Sequence, residues 1–166
     1  DLKLSTFWAA GLDDMVADLL QLARLDETGG GPTPAPSGTE VDLDELALHE
    51  ASRLTSLGMA VDASGVGAVR VTGDVAALSR MVRNLADNAA RHAGSRIALA
   101  VSLEHGQAVV RVDDDGAGVP TGDQERVFER FFRVDKARSR ATGGTGLGLA
   151  IVKHVAANHN GSIRLW

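Results

Sequence analysis

The sequence lacks cysteine, long apolar runs and an excess of positive charge. Without cysteine, the chain can form neither a disulfide nor a thiol catalytic site, and it is compatible with a reducing cytoplasm. No stretch approaches the roughly 20 apolar residues of a membrane-spanning helix, so we expect a soluble chain. A formal net charge of −5 argues against a nucleic-acid or acidic-membrane binder. An anionic ligand therefore needs a local basic cluster.

The length of 166 residues allows one domain with its own core and a short appendage. No secretory signal is visible at Asp1, and the start without Met suggests a piece of a longer protein. Residues 1–27 contain an apolar stripe at helical spacing, from Leu12 to about Leu25. The Gly- and Pro-rich residues 28–38 are typical of a linker. We predict the main domain at 39–166.

The pattern of the main domain predicts alternating helices and strands. Asp42 and Glu45 resemble a capping box, and Asp74 is predicted to be an N-cap. The predicted helices run from Asp42 to about Leu57, from 74 to 91 and from about 146 to 158, and the strands lie near 58–63, 67–72, 96–103 and 107–113 and after Asn160-Gly161. We predict an α/β (α+β) two-layer sandwich, with helices on one face of a mixed, largely antiparallel sheet.

Three polar residues of the helix at 74–91 form a stripe beside its apolar face. Asn84, Asn88 and Arg91 follow one another at helical spacing. A carboxamide oxygen is a neutral ligand for Mg²⁺, suited to a site where triphosphate oxygens supply the negative charge. A solvated polar face explains the same helix equally well.

The second candidate element is Asp114-Asp115-Gly116-Ala117-Gly118, which follows an apolar strand. A carboxylate at a strand end can accept a hydrogen bond from an exocyclic amine, and glycine lets a flat ring approach the backbone. Adenine fits that description. An acidic turn or a calcium loop is the alternative, although the ligand spacing of an EF-hand is absent.

The third candidate element is a glycine-rich segment before the last predicted helix. It reads Gly144-Thr145-Gly146-Leu147-Gly148, and its N–H groups could face phosphate at the start of the helix. It is not a P-loop, because Leu149 and Ala150 stand where Lys and Ser or Thr are required. A flexible hinge is the alternative interpretation.

An aromatic patch and a basic segment lie between the second and third elements. Phe128, Phe131 and Phe132 are predicted to anchor the segment that follows. That segment carries the local positive charge, and its basic residues are Arg133, Lys136, Arg138 and Arg140. We predict a lid at 133–145 that covers a triphosphate; a solvated charged loop is the commoner origin of such runs.

In order, these elements resemble the N, G1, F and G2 boxes of the ATP-binding domain of sensor histidine kinases. This domain belongs to the ATPase group shared with gyrase, the chaperone Hsp90 and MutL. The boxes are Asn84-Leu-Ala-Asp-Asn88, Asp114-x-Gly116-x-Gly118, Phe128-x-x-Phe131-Phe132-Arg133 and Gly144-Thr-Gly-Leu-Gly-Leu149. Each motif is weak alone, but the four in this order are specific, and the match spans residues 39–166.

The resemblance implies a role for each matching residue. Asn88 would hold Mg²⁺ with Asn84 beside it, and Arg91 would contact phosphate. Asp114 would bind the adenine amine, and His92 stands where the family often has a ring beside the base. Arg133 would reach phosphate. Gly144, Gly146 and Gly148 would let the lid fold over the nucleotide, and Thr145 and Leu147 of the same box are also expected to bind it. ATP and Mg²⁺ are the implied ligands.

The resemblance also implies partners outside this chain. Residues 1–27 resemble the end of the family's dimerisation and phosphoacceptor domain, and none of the five His of the chain has the sequence context of the acceptor. We expect no catalytic His here, and the nearest match, His49-Glu50, lies in a predicted domain helix. The implied partners are a dimerisation domain of a homodimeric parent anchored in the cell membrane, with this domain in the cytoplasm, and a response regulator; nucleic acid is not among them.

Four functions remain open at this point. Phosphoryl transfer from ATP to a histidine on a partner domain is the prediction. An ATP-hydrolysing switch of the gyrase or chaperone kind needs a Glu to activate water, and Asn84 stands in that place. A related serine kinase that inhibits a transcription factor meets the same objection and leaves residues 12–27 unexplained. A module that binds a partner and no nucleotide is disfavoured, because each box residue with a chemical task is present.

Overall fold

The computed structural model describes residues 38–134 and 145–166, together with Val16, Leu19, Leu20 and Ala23. Those four separate residues are helical and exposed, in agreement with the helix predicted there. The remainder of residues 1–27, the predicted linker and residues 135–144 lie outside the described residues. Within the described segments, no helix combines the length and apolar character needed to cross a bilayer.

Three helices and five strands make up the described part of the main domain. In chain order they are β1 (Thr39–Asp42), α1 (Leu43–Ser56), β2 (Ala60–Val66), β3 (Arg70–Gly73), α2 (Val75–His92), β4 (Arg96–Glu104), β5 (Gln107–Asp114) and α3 (Gly148–Asn158). Two short 3-10 turns, Thr121–Asp123 and Arg126–Phe128, lie between β5 and α3.

The strands form a mixed arrangement, as predicted. β4 pairs in parallel with β2 and antiparallel with β5, while β1 and β3 form a separate antiparallel pair. His105 and Gly106 join β4 to β5, and both have positive φ angles of 51° and 79°. A two-residue hairpin loop of this twist requires that backbone. Since parallel strands need a crossover connection, α2 lies on the path from β2 to β4.

The core lies between the helices and one face of β4. Ile97, Leu99 and Val101 are buried on that face, and the intervening Ala98 and Ala100 are only partly buried. This alternation is the period of a half-covered strand. On α2 the buried residues are Leu78, Val82, Ala86 and Ala89. The predicted two-layer α/β architecture is confirmed.

The helix starts were predicted with mixed success. The Asp74 carboxylate accepts a hydrogen bond from the Ala77 N–H (3.0 Å), which confirms the predicted N-cap of α2. At α1 the predicted capping box is wrong, because the Asp42 side chain makes no capping hydrogen bond. Asp42 instead accepts from the Arg70 guanidinium on β3 (2.5 Å to Nε). An ionic partner across the β1–β3 pair outcompetes a neutral backbone donor.

The strand predicted after Asn160-Gly161 is also wrong, because residues 161–166 have no strand hydrogen bonding. Trp166 still reaches the sheet. Its indole N–H donates to the Asp113 carboxylate (3.1 Å), and the Arg111 guanidinium lies 6.0 Å from its ring. Side chains, and no backbone ladder, hold this segment beside β5.

We expect Asp74→Ala to lower the free energy of unfolding by about 1 kcal/mol, because the Ala77 N–H at the start of α2 loses its partner. The matched control is Glu45→Ala, an exposed acidic residue in the first turn of α1. Its effect should be limited to about 0.3 kcal/mol from the helix dipole. Urea denaturation of both variants measures the difference, and equal losses would contradict the assigned cap.

Candidate functional site

α2 presents the predicted polar stripe beside its buried face. Asn84 and Asn88 are partly buried and Arg91 is exposed. The neighbouring face packs Val82 and Ala86 into the core with no exposed area. Because one helix supplies both faces, burial of the apolar side turns the stripe away from the core. The stripe therefore lines the edge of the domain next to α3 and the loop after β5.

The start of α3 lies against Asn84. The Asn84 side-chain amide is 3.5 Å from the Gly148 carbonyl oxygen, a long hydrogen bond. Leu147 precedes the helix, and among the described residues no side chain caps it. The first N–H groups of α3 are therefore available to an anion, which the helix dipole also favours. Gly148 brings these donors next to the Asn84 carboxamide of α2, where even a Cβ would lie at an ordinary contact distance of 3.8 Å from the side chain.

Gly146 joins the G2 box to the F box. The Phe131 N–H donates to the Gly146 carbonyl (2.9 Å), and a Cβ on Gly146 would lie 3.0 Å from the Phe131 Cα. Gly146 also has a φ of 72°, a region that side chains disfavour. Both constraints require glycine here. Leu147, which follows, is fully buried and holds the loop on the core.

The loop after β5 packs on the end of α2. A Cβ on Gly116 would overlap the His92 carbonyl oxygen, so the two backbones can approach this closely only with glycine at 116. The Asp114 carboxylate is exposed and accepts a hydrogen bond from the Gly116 N–H (2.9 Å). Gly118 also has a positive φ of 70°. The acceptor predicted for adenine thus lies beside the end of α2.

His92 lies near Asp114, and its surroundings lower its pKa. Burial lowers its pKa, Arg91 lowers it further, and Asp114 opposes these effects without cancelling them. A histidine with a lowered pKa is neutral at neutral pH. A neutral ring beside a carboxylate and a glycine loop is suited to a flat, uncharged base.

Asp115 is a structural residue of the site that the sequence did not reveal. Its carboxylate accepts hydrogen bonds from the N–H groups of Gly94 (2.8 Å), Ser95 (2.8 Å) and Arg96 (2.9 Å) and from the Ser95 hydroxyl (2.6 Å). The Arg96 N–H and the Ser95 donors together hold the pKa of Asp115 far below its usual range. Asp115 thereby fixes the loop that carries Asp114 to the turn after α2.

The F box lies within the described residues, whereas most of the lid predicted after it does not. The Arg126 guanidinium lies 4.3 Å from the Phe132 ring centroid, a cation–π contact that holds the aromatic segment in place. Phe131 is exposed and adopts a φ of 62°. Arg133 is partly buried. Gly144 and most of the predicted lid lie outside the described residues, whereas Thr145 accepts the Leu147 N–H at 3.3 Å.

In the described part of the chain, no group of three His, Cys, Asp or Glu side chains could hold a metal ion. A cation at the polar stripe would therefore depend on carboxamide oxygens and on the oxygens of its own anionic ligand. Mg²⁺ commonly binds in this way, with few protein ligands and several from phosphate and water. The stripe fits magnesium carried by a nucleotide better than it fits a free ion.

Comparison with known proteins gives consistent matches. Residues 73–165 match the family model of the histidine kinase-, DNA gyrase B- and HSP90-like ATPases. The chain is 45% identical over 161 residues to the sensor-like histidine kinase SenX3 of Mycolicibacterium smegmatis, covering 93% of this chain and 41% of that protein. It therefore spans about two fifths of that curated relative.

Two solved structures share the fold at appreciable identity. The mycobacterial sensor histidine kinase MprB aligns with a TM-score of 0.66 and 32% identity, over 76% of this chain and 83% of that one. The ATP-binding domain of PrrB from Mycobacterium tuberculosis aligns with a TM-score of 0.63 and 27% identity, over 78% and 86% respectively.

We expect Asp115→Asn to destabilise the fold near neutral pH, because a carboxamide accepts hydrogen bonds more weakly and has only one acceptor oxygen. The lowered pKa means that the carboxylate stabilises the fold above about pH 4 and that this contribution is lost as the pH falls towards the folded-state pKa. The difference between the wild type and Asp115→Asn should therefore shrink on acidification. Urea denaturation from neutral pH to about pH 2.5 measures it.

Proposed function

Because the chain belongs to the family of histidine kinase-, DNA gyrase B- and HSP90-like ATPases, we propose that it transfers the γ-phosphoryl group of ATP to a histidine on a separate domain. It is an ATP-binding catalytic domain of the sensor histidine kinase type. The acceptor histidine, the lid contacts and the role of each site residue are parts of the proposal.

The junction of α2 with α3 is the observation that carries the proposal. Asn84 lies against Gly148 at the start of α3, which no described side chain caps, and Asn88 and Arg91 follow Asn84 along the same side of α2. Backbone N–H groups, the helix dipole and a guanidinium all favour phosphate. Because the carboxamides are neutral, they would bind a cation only together with phosphate. Carboxylates in the same places would attract a cation even without phosphate.

The loop after β5 supports binding of adenine at the other end of the stripe. Asp114 offers an exposed acceptor for an exocyclic amine, Gly116 lets the base approach the backbone, and the neutral ring of His92 lies nearby. The distance along α2 from Asn84 to His92 is eight residues, or about 12 Å. An ATP molecule extended along α2 spans that distance from base to γ-phosphate.

In this arrangement each residue acts by holding and orienting the nucleotide. Asn88 would hold Mg²⁺, which when bound neutralises phosphate charge and steadies the leaving group. Arg91 and the first N–H groups of α3 would orient the phosphates, and Arg133 would reach them from the F box. Gly144 and the Gly146–Gly148 loop would let the lid close over them. Positioning and charge neutralisation are the main requirements of phosphoryl transfer.

Asn84 argues against ATP hydrolysis as the main reaction. A carboxamide cannot accept a proton near neutral pH, so it cannot activate water as a glutamate would. The nucleophile is therefore proposed to come from outside this domain. It would be a histidine of the parent's dimerisation domain, from which a response regulator aspartate receives the phosphoryl group. We further propose that the parent is a homodimer anchored in the cell membrane, with this domain in the cytoplasm.

We expect the domain to bind Mg-ATP and Mg-ADP more tightly than Mg-GTP, because guanine has a carbonyl where adenine donates its amine to Asp114. Asp114→Asn should weaken binding of ATP by about 1.5–3 kcal/mol, the value of a hydrogen bond to a charged group. Isothermal titration measures both effects, with Asp113→Asn as a control on the adjacent residue. Equal affinity for ATP and GTP would rule out the adenine assignment.

We expect the chain to leave its own histidines unlabelled with radiolabelled ATP but to label a histidine supplied on the parent's dimerisation domain. The reason is that the chain contains the residues of the proposed phosphate site, but none of its histidines has the sequence context of a phosphoacceptor. The added domain carrying Ala in place of its His is the control. Acid-labile label on the chain alone would reveal an acceptor among its five His. Absence of label on the added histidine at high concentration would favour a nucleotide-binding module without kinase activity.

A further inference from the structure

The two halves of α2 are packed very differently. Its N-terminal half buries Leu78 and Val82, whereas its C-terminal half buries only Ala86 and Ala89. Branched side chains interlock with their neighbours and resist rotation of a helix, but methyl groups give a smooth contact that resists it weakly. Asn84, Asn88 and Arg91 all lie towards the smooth half. Apolar packing alone therefore does little to fix the direction of the polar stripe.

A directional ionic contact holds this half of α2. Arg53 of α1 donates from Nε to the Glu50 carboxylate (2.6 Å) and from a terminal nitrogen to the Asp87 carboxylate of α2. We refer to Glu50, Arg53 and Asp87 as the helix clamp. Glu50 is only 4% exposed, and it is the one buried charged residue in the described part of the chain. The Arg83 Nε lies 3.8 Å from the other Asp87 oxygen.

The chemistry of the helix clamp is suited to restricting rotation of α2 about its axis. A guanidinium is planar and its donors point in fixed directions, so it binds two carboxylates only at defined angles. Glu50 lies three residues from Arg53 on α1 and orients the guanidinium towards α2. Partial burial makes the contact stronger than an exposed ion pair. Loss of Arg53 would also leave the Glu50 carboxylate buried without its partner, which is costly.

The position of Asp87 makes the contact relevant to the stripe. Asp87 directly precedes Asn88 and lies about 60° around the helix from Asn84. Side-chain ends lie about 5–6 Å from a helix axis, so a rotation of about 20° moves them by about 2 Å. A misplacement of about 1 Å can already cost about 100-fold in an oriented site. A small rotation of α2 would thus misalign Asn88 with its ligands.

We propose that Arg53 is a positioning residue for the nucleotide site, which acts through Asp87 to set the rotation of α2 and hence the direction of Asn84, Asn88 and Arg91. In the described part of the chain, the Arg53 guanidinium donates to Glu50 and Asp87 and to no residue of the stripe. The inference rests on the proposed function, because the stripe is taken to bind Mg-ATP. It adds a residue of α1, outside the four sequence boxes, to the requirements of the site.

Arg70 provides a matched control. Its guanidinium also bridges two carboxylates, with Nε 2.5 Å from Asp42 and a terminal nitrogen 3.3 Å from Glu40. These partners lie on the β1–β3 pair and do not include a residue of α2. Arg70→Met therefore removes an ion-pair network of the same kind, although a more exposed one, without acting on the stripe.

The experiment compares Arg53→Met, Arg53→Lys, Asp87→Asn, the double variant Arg53→Met/Asp87→Asn and Arg70→Met. Affinity for Mg-ATP is measured by titration well below the melting temperature of each variant. The side-chain amide signals of Asn84 and Asn88 are recorded by NMR without nucleotide. The chemical shifts of these amides respond to their surroundings in the folded protein, so a change in them separates a movement of the stripe from a general loss of stability.

We expect Arg53→Met and Asp87→Asn each to weaken Mg-ATP binding roughly tenfold or more and to shift both amide signals. The double variant should be no worse than either single one, because all three break the same contact. Arg53→Lys should recover part of the affinity, and Arg70→Met should stay within about twofold of the wild type. If Asp87 acted only as a negative charge near phosphate, Asp87→Asn would instead tighten binding.

Unchanged affinity and unchanged amide signals in folded Arg53→Met would overturn the inference, as would additive losses in the double variant. Should Arg53→Met not fold, Asp87→Asn and Arg53→Lys decide by the same criteria. If the wild type does not bind Mg-ATP, the proposed function fails. The amide signals of the variants then still show whether the helix clamp sets the direction of the stripe.

Discussion

The site depends on α2, because the two sides of this helix must face different surroundings at the same time. One side of the helix must bury Leu78, Val82 and two alanines in the core, and the other presents Asn84, Asn88 and Arg91, for which nucleotide binding is proposed. Burial of the apolar side supplies the free energy that holds the helix in place. The polar side contributes little to the free energy of folding, and its place in the domain follows from the burial of the opposite side. Every other element of the site is positioned relative to this helix.

Close backbone contacts that require glycine connect the loops to α2 and to each other. Gly116 lets the loop after β5 lie against the His92 carbonyl, and Gly146 lets the start of α3 lie against Phe131. Asp115 then fixes the first of these loops with four hydrogen bonds. Substituents larger than hydrogen at either glycine would separate surfaces that both contribute to one ligand site. Glycine in these motifs is thus as much a packing requirement as a source of conformational freedom.

Local patterns predicted the parts of the fold that local interactions determine. The start of α2 at Asp74, its extent and the β4–β5 hairpin all follow from residues within a few positions of one another. The failures involve distant partners. Asp42 does not cap α1 as predicted but pairs with Arg70, which lies 28 residues later. The donors to Asp115 lie 19 to 21 residues earlier in the chain.

The candidate site was predicted in the same way, and with the same limits. The residues in the four boxes follow recognisable spacings, so their chemistry could be proposed before any fold was known. The contact between Arg53 and Asp87 spans 34 residues and has no sequence pattern of its own. Which residues orient the stripe could therefore be learned only from the structure. The roles assigned to the boxes remain proposals for the nucleotide-bound protein.

The parallel pairing of β2 with β4 has a consequence for the order of folding. The β4–β5 hairpin is local in sequence and can form early, but β2 can join β4 only after the intervening chain, including α2, has crossed the sheet. The non-local step that completes the sheet is thus the same step that docks the helix bearing the polar stripe. A chain halted before this step has the hairpin but not the proposed nucleotide site. In nascent or partly unfolded copies the proposed site is therefore unformed, and it arises together with the finished core.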